Sequence, residues 1–112
     1  MKYSKLKVSS GLEVEIRARS YGEWEEQEDV RLAAISGVPA LLDADKRPEA
    51  ETVLQRVYRE SRSARLQVQV KDFAKLKAKL TLRDIAEIER SCASLEAVEI
   101  AEGNLDAGGN GQ

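Results

Sequence analysis

Leu12-Glu13-Val14-Glu15-Ile16-Arg17-Ala18-Arg19 alternates apolar and charged residues, and Ser20-Tyr21-Gly22-Glu23 then breaks the alternation. A period of two marks a strand with one buried face. The four residues that follow fit a capping box: a serine oxygen accepts from the third helical amide, and the glutamate reaches back to the cap. A strand that hands over directly to a helix sets the fold class as α+β. Upstream, Tyr3, Leu6 and Val8 lead into the turn cluster Ser9-Ser10-Gly11, so the chain starts as a hairpin. An isolated hairpin is marginal in water, and its apolar face must pack on helices or on another chain. The expected architecture is an N-terminal β-hairpin packed on a small bundle of three to four helices.

The first helix is predicted over residues 21–36. Glu23, Glu25, Glu26, Glu28 and Asp29 crowd its start, where the positive end of the helix dipole favours them. Trp24, Leu32 and Ile35 can share one face, and Gly37 and Pro39 end the helix. Residues 37–47 read as a loop pinned to the core by Leu41 and Leu42, with Pro48 at a first helical position. The next helix places Ala50, Val53, Leu54, Val57, Ser61 and Ala64 within an arc of about 100°. Arg56, Arg59, Arg62 and Arg65 sweep the other side. Leu66 would fall among the arginines, which predicts an end near Arg65. Leu66, Val68 and Val70 then alternate with Gln67, Gln69 and Lys71, as a short strand or as continued helix. Phe73 and Leu76 are expected to be buried by a short helix or turn.

Thr81-Leu82-Arg83-Asp84 repeats the capping pattern with aspartate in the glutamate role. Leu82, Ile85, Ile88, Cys92 and Leu95 follow as one stripe of a helix over 82–96. The organisation is therefore a single α+β domain over 1–102, followed by a glycine-rich flexible tail over 103–112. A chain of 112 residues can bury about 65% of its unfolded surface. With only five aromatic residues, the core must be mostly Leu, Val, Ile and Ala.

The net charge of −2 conceals segregated blocks: +3 over residues 1–20, −6 over 21–51, +7 over 52–83 and −6 over 84–112. Such blocks attract one another within a fold or between copies of it. No run approaches the roughly 20 apolar residues of a membrane span, and no signal-peptide pattern follows Met1. A single cysteine makes no internal disulfide and suits a reducing compartment. A cytoplasmic protein without a membrane partner is expected.

The chain has no histidine and one cysteine. That removes the usual proton shuttle near neutral pH and the commonest metal ligand, and leaves too few thiolates for structural zinc. Cys92 lies on an apolar stripe with no histidine to activate it, so it reads as a buried structural residue. The carboxylates of the first helix read as a solvated face rather than a catalytic pair or cation site. No glycine-rich phosphate loop is present. No catalytic residue, metal ligand or cofactor is assigned, and the chain is not expected to be an enzyme. The candidate partner-binding residues are Arg56, Arg59, Arg62 and Arg65, with Glu25, Glu26 and Asp29. The basic region 56–79 leaves a small nucleic-acid-binding or regulatory module as the alternative, disfavoured by the acidic net charge and the scarcity of aromatic residues.

Three features together resemble the tail assembly chaperones of long-tailed bacteriophages and prophages. They are the hairpin Lys5-Leu6-Lys7-Val8-Ser9-Ser10-Gly11-Leu12-Glu13-Val14-Glu15-Ile16-Arg17, the strand-to-helix step Ser20-Tyr21-Gly22-Glu23-Trp24, and the late helix start Leu80-Thr81-Leu82-Arg83-Asp84-Ile85-Ala86-Glu87-Ile88-Glu89. The likeness in arrangement covers about residues 3–96. It implies a non-enzymatic homo-oligomer in the host cytoplasm that coats the long helical tape measure protein before the tail tube forms. Some members of that family also exist as a longer frameshifted product. The family has no defined catalytic residues, so none is carried over.

Overall fold

The computed structural model describes residues 2–110, with side chains described for residues 2–102. The hairpin consists of β1 (Ser4–Lys7) and β2 (Glu13–Ile16), antiparallel, with Leu6 opposite Val14 and Lys5 opposite Glu15. Its loop is Ser9-Ser10-Gly11. Val8 N–H donates to Leu12 O at 3.0 Å and Gly11 N–H to Val8 O at 2.9 Å. Gly11 has φ +94°, a conformation that a side chain would strain. Five helical segments follow: α1 (Tyr21–Ile35), α2 (Val38–Asp43), α3 (Arg47–Gln69), the single-turn α4 (Phe73–Leu76) and α5 (Leu82–Asn110). The class is α+β, an N-terminal hairpin followed by helices.

The chain divides into two compact units, Met1–Arg19 with Gln67–Gln112, and Ser20–Leu66. In the first, the period-two pattern of β2 buries Val14 and Ile16, and Val8 joins them. Among the described residues, Val70, Phe73, Ile88 and Cys92 complete the buried apolar set of this unit. Val70 pairs with Ile16 as an antiparallel bridge. Arg17 N–H donates to Gln69 O, and Lys71 N–H to Glu15 O, both at 2.9 Å. β2 is therefore central, with β1 on one edge and residues 69–71 on the other.

The hairpin loop meets the start of α5. Thr81 Oγ1 accepts from Asp84 N–H at 3.1 Å, and Asp84 Oδ2 accepts from Thr81 N–H at 3.0 Å, closing the expected capping box. Asp84 Oδ1 also accepts from Ser10 N–H at 3.1 Å. Asp84 is fully buried. The Thr81 amide first, and then Ser10, hold its carboxyl below the usual carboxylate range. Glu87 accepts from both Ser9 N–H and Ser9 Oγ–H.

In the second unit, Ser20 caps α1 with both halves of the capping box formed. Gln27 Nε2 donates to Ala64 O of α3 at 3.1 Å. Val38, Ala50, Val57 and Leu66 are the buried apolar residues of this unit.

The structure corrects several expectations. The loop expected over 37–47 contains α2, because Pro39 suits a first helical turn, where its missing N–H goes unused. Val38 rather than Leu42 is buried there. The end expected near Arg65 is not one: α3 runs to Gln69, with Leu66 and Gln69 buried and Ser61, Arg62, Ser63, Arg65 and Val68 half-buried. Over residues 61–69 only Ala64 and Gln67, neighbours on the helix surface, are exposed, so the covered side there is wider than a one-face pattern allows. The helix expected to end at 96 continues through Ala97–Glu102, which hold no glycine or proline. The tail expected over 103–112 lies outside the residues whose side chains are described.

Candidate functional site

The second unit carries most of the exposed large apolar side chains among the described residues: Tyr21, Trp24, Val30, Leu32, Leu42, Leu54 and Tyr58. α1 buries no residue fully. At about 100° per residue, Tyr21, Trp24, Glu28 and Leu32 share one face of α1, and Val30 lies opposite. Tyr21 and Trp24 stack with ring centroids 5.8 Å apart at a tilt of 35°. Even so, Trp24 is 41% exposed and Leu32 50%. On α3, Leu54 and Tyr58 stand one turn apart, and Tyr58 is 69% exposed.

The acids expected to bind a partner are placed unequally around this face. Glu25 borders it. A hydrogen bond to the Tyr21 hydroxyl, and then the Glu25 charge, raise the phenol above its ordinary pKa, and Asp29 acts in the same direction. Glu25 and Asp29, one turn apart and both exposed, are therefore charges along the rim of this face, with Glu25 the one bonded to Tyr21. Glu26 is exposed but about 100° further round the helix. Glu28 is half-buried and accepts from Arg31 Nε.

The four arginines do not form one stripe. A three-residue spacing turns each about 60° from the last, so the set covers about half the helix circumference. Arg56 and Arg59 are exposed. Arg62 and Arg65 are half-buried and each has a partner. A duplex backbone meets a row of cations on one face, and of these four arginines only Arg56 and Arg59 are exposed.

Trp24 and Leu32 were legible as one face from their spacing, but not as exposed. Leu54 was read into the buried arc, yet it is 44% exposed while Ala50 and Val57 in the same arc are buried. Tyr58 stood among the basic residues, and its separation from Leu54 by one turn was the available signal.

Cys92 is buried. Among the described residues no cluster of three or more Cys, Asp or Glu side chains could hold a metal ion. No helix of the described residues is long and apolar enough to cross a membrane. No family model, no curated protein and no solved structure matches the chain.

Proposed function

We propose that this protein is a non-enzymatic assembly chaperone that self-associates and sheathes a long helical partner, similar to the tail assembly chaperones of bacteriophages and prophages, with the tape measure protein as partner. It would act in the host cytoplasm. The observation that carries this reading is the uncovered apolar face of α1, Tyr21-Trp24-Leu32, rimmed by Glu25 and Asp29. An apolar face rimmed by charge is the usual form of a protein-contact surface. A coating protein needs such a surface on every copy, and head-to-tail contacts between unlike surfaces propagate along a partner. The alternating charge blocks supply attraction between copies that salt weakens.

Sedimentation velocity across a concentration series tests it. Oligomers should grow with concentration and shrink between low salt and about 0.5 M salt, where screening is short-ranged. Leu32→Asp should abolish them while leaving the circular dichroism spectrum unchanged. A strictly monomeric protein at high concentration and low salt would refute self-association. Binding of generic DNA or RNA at low salt, lost in Arg56→Glu with Arg59→Glu, would favour the nucleic-acid alternative instead.

A further inference from the structure

We propose that the outer edge of β1 is a docking edge for an extended acidic segment of a partner protein, added as a strand beside β1. The pairing alternation of an antiparallel ladder fixes which groups face outward. Arg17 N–H and Glu15 O are bonded to Gln69 and Lys71, so the main chain of Glu15 and Arg17 points away from β1. Glu15 stands opposite Lys5, and Glu13 opposite Lys7. The N–H and C=O groups of Lys5 and Lys7 therefore point away from β2. The bond from Val8 N–H to Leu12 O gives the same phase from the loop end. Among the described residues, no main-chain group meets these outward groups. Ser4, Lys5 and Lys7 are exposed, with the Lys5 side chain 73% exposed.

The other edge of β2 is already closed by residues 69–71. β1 is thus the open edge of this sheet, and an open edge accepts a further strand through main-chain bonds. Side chains decide which strand. Residues 1–12 hold Lys2, Lys5 and Lys7 and no acid, and among the described residues the one ion pair of Lys5 is with Glu13 of β2, exposed and at 3.8 Å. A second copy of β1 paired antiparallel about Leu6 would set Lys5 against Lys7, like charge against like. The lysines therefore reject self-pairing and select acids, a choice made by repulsion as much as by attraction. β2 shows what the edge accepts: Glu13 and Glu15 lie opposite Lys7 and Lys5, with Val14 opposite the half-buried Leu6. The same pattern on the outer side, acids at alternate positions with an apolar residue between, extends both faces of the sheet. This edge belongs to the first unit, so it is independent of the apolar face on which the assembly reading rests.

The probe is a blocked synthetic peptide copying residues 11–17, titrated into the full chain at low salt and followed by amide NMR. The amide signals of Lys5 and Lys7 should shift, and their hydrogen exchange should slow by about tenfold or more at saturation, while Ser4 and Leu6 keep the exchange rates of the free protein. A peptide with Lys in both Glu positions should leave Lys5 and Lys7 unchanged. So should a peptide N-methylated at the amides that would face β1. In a variant with Lys5→Gln and Lys7→Gln, which keeps the strand uncharged but intact, the preference for the acidic peptide should disappear. Unchanged Lys5 and Lys7 amides with the acidic peptide would overturn the docking edge. Equal binding of the lysine peptide would overturn the acidic partner. Protection of Lys5 and Lys7 that rises with protein concentration alone would identify a second copy as the occupant and overturn it as well.

Discussion

Arg19 and Glu96, 77 positions apart, close a two-pronged fork: Arg19 Nε donates to Glu96 Oε2 at 2.8 Å and Nη2 to Oε1 at 2.9 Å, and the Arg19 main-chain N–H adds a third bond to Oε2 at 3.1 Å. The fork ties the chain just after β2 to α5. Both side chains are largely shielded, at 14% and 24% exposure, so the pair escapes much of the screening that weakens surface ion pairs.

Glu96→Ala should therefore destabilise the first unit by about 1.5–3 kcal/mol, the range for hydrogen bonds to charged groups. Lys5→Ala, which removes the exposed 3.8 Å pair with Glu13, should cost less than about 1 kcal/mol. Urea midpoints of the two variants check the ordering. Equal losses would mean that the fork adds no more than a surface pair.

Asp84 predicts an acid-sensitive start to α5. Its folded pKa lies below the ordinary value of about 3.9. A depressed carboxylate contributes stability that is present in full above the unfolded pKa and is lost as pH falls through the folded one. The loss therefore belongs below about pH 4, and the protein should be indifferent to this group near neutrality. Asp84→Asn should lower stability at pH 7 and flatten the fall at low pH. Thermal melts at pH 7, 4 and 3 for both proteins test the sign; parallel curves would remove the linkage.

Asp45 follows α2 with φ 58°. Lys46 N–H donates to Leu41 O at 2.8 Å and Asp45 N–H to Leu42 O at 3.1 Å, the paired bonds of a Schellman ending, where glycine is preferred. Asp45→Gly should raise stability by about 0.5–1 kcal/mol by relieving the left-handed backbone. The denaturant midpoint should rise with an unchanged slope.

Trp24 is the single tryptophan of the chain and lies on the face assigned to assembly. Its emission should shift to shorter wavelength as concentration rises at low salt, and return on adding salt. In Leu32→Asp the emission should stay at the monomer value at every concentration.

Local signals carried the legible part of the fold. Val14, Glu15 and Ile16 announced a strand by alternation, and Ser20 with Glu23 and Thr81 with Asp84 announced two helix starts, because capping depends on residues a few positions apart. The far end of α3 was not legible. Leu66 counted against a helix only while one buried face was assumed, and its burial depends on surroundings that periodicity does not encode. The candidate surface was half legible for the same reason: spacing groups Trp24 with Leu32, but exposure is a tertiary property. The Ser10–Asp84 and Arg19–Glu96 pairs leave no trace in a single sequence, since either partner alone reads as surface charge or turn.

The bridge between Ile16 and Val70 brings the chain back beside its own point of departure. Everything from Ser20 to Leu66 is consequently a cassette spliced into a host whose two cut ends are neighbours. A short glycine linker joining Arg19 to Gln67 should leave the hairpin and α5 able to close without it.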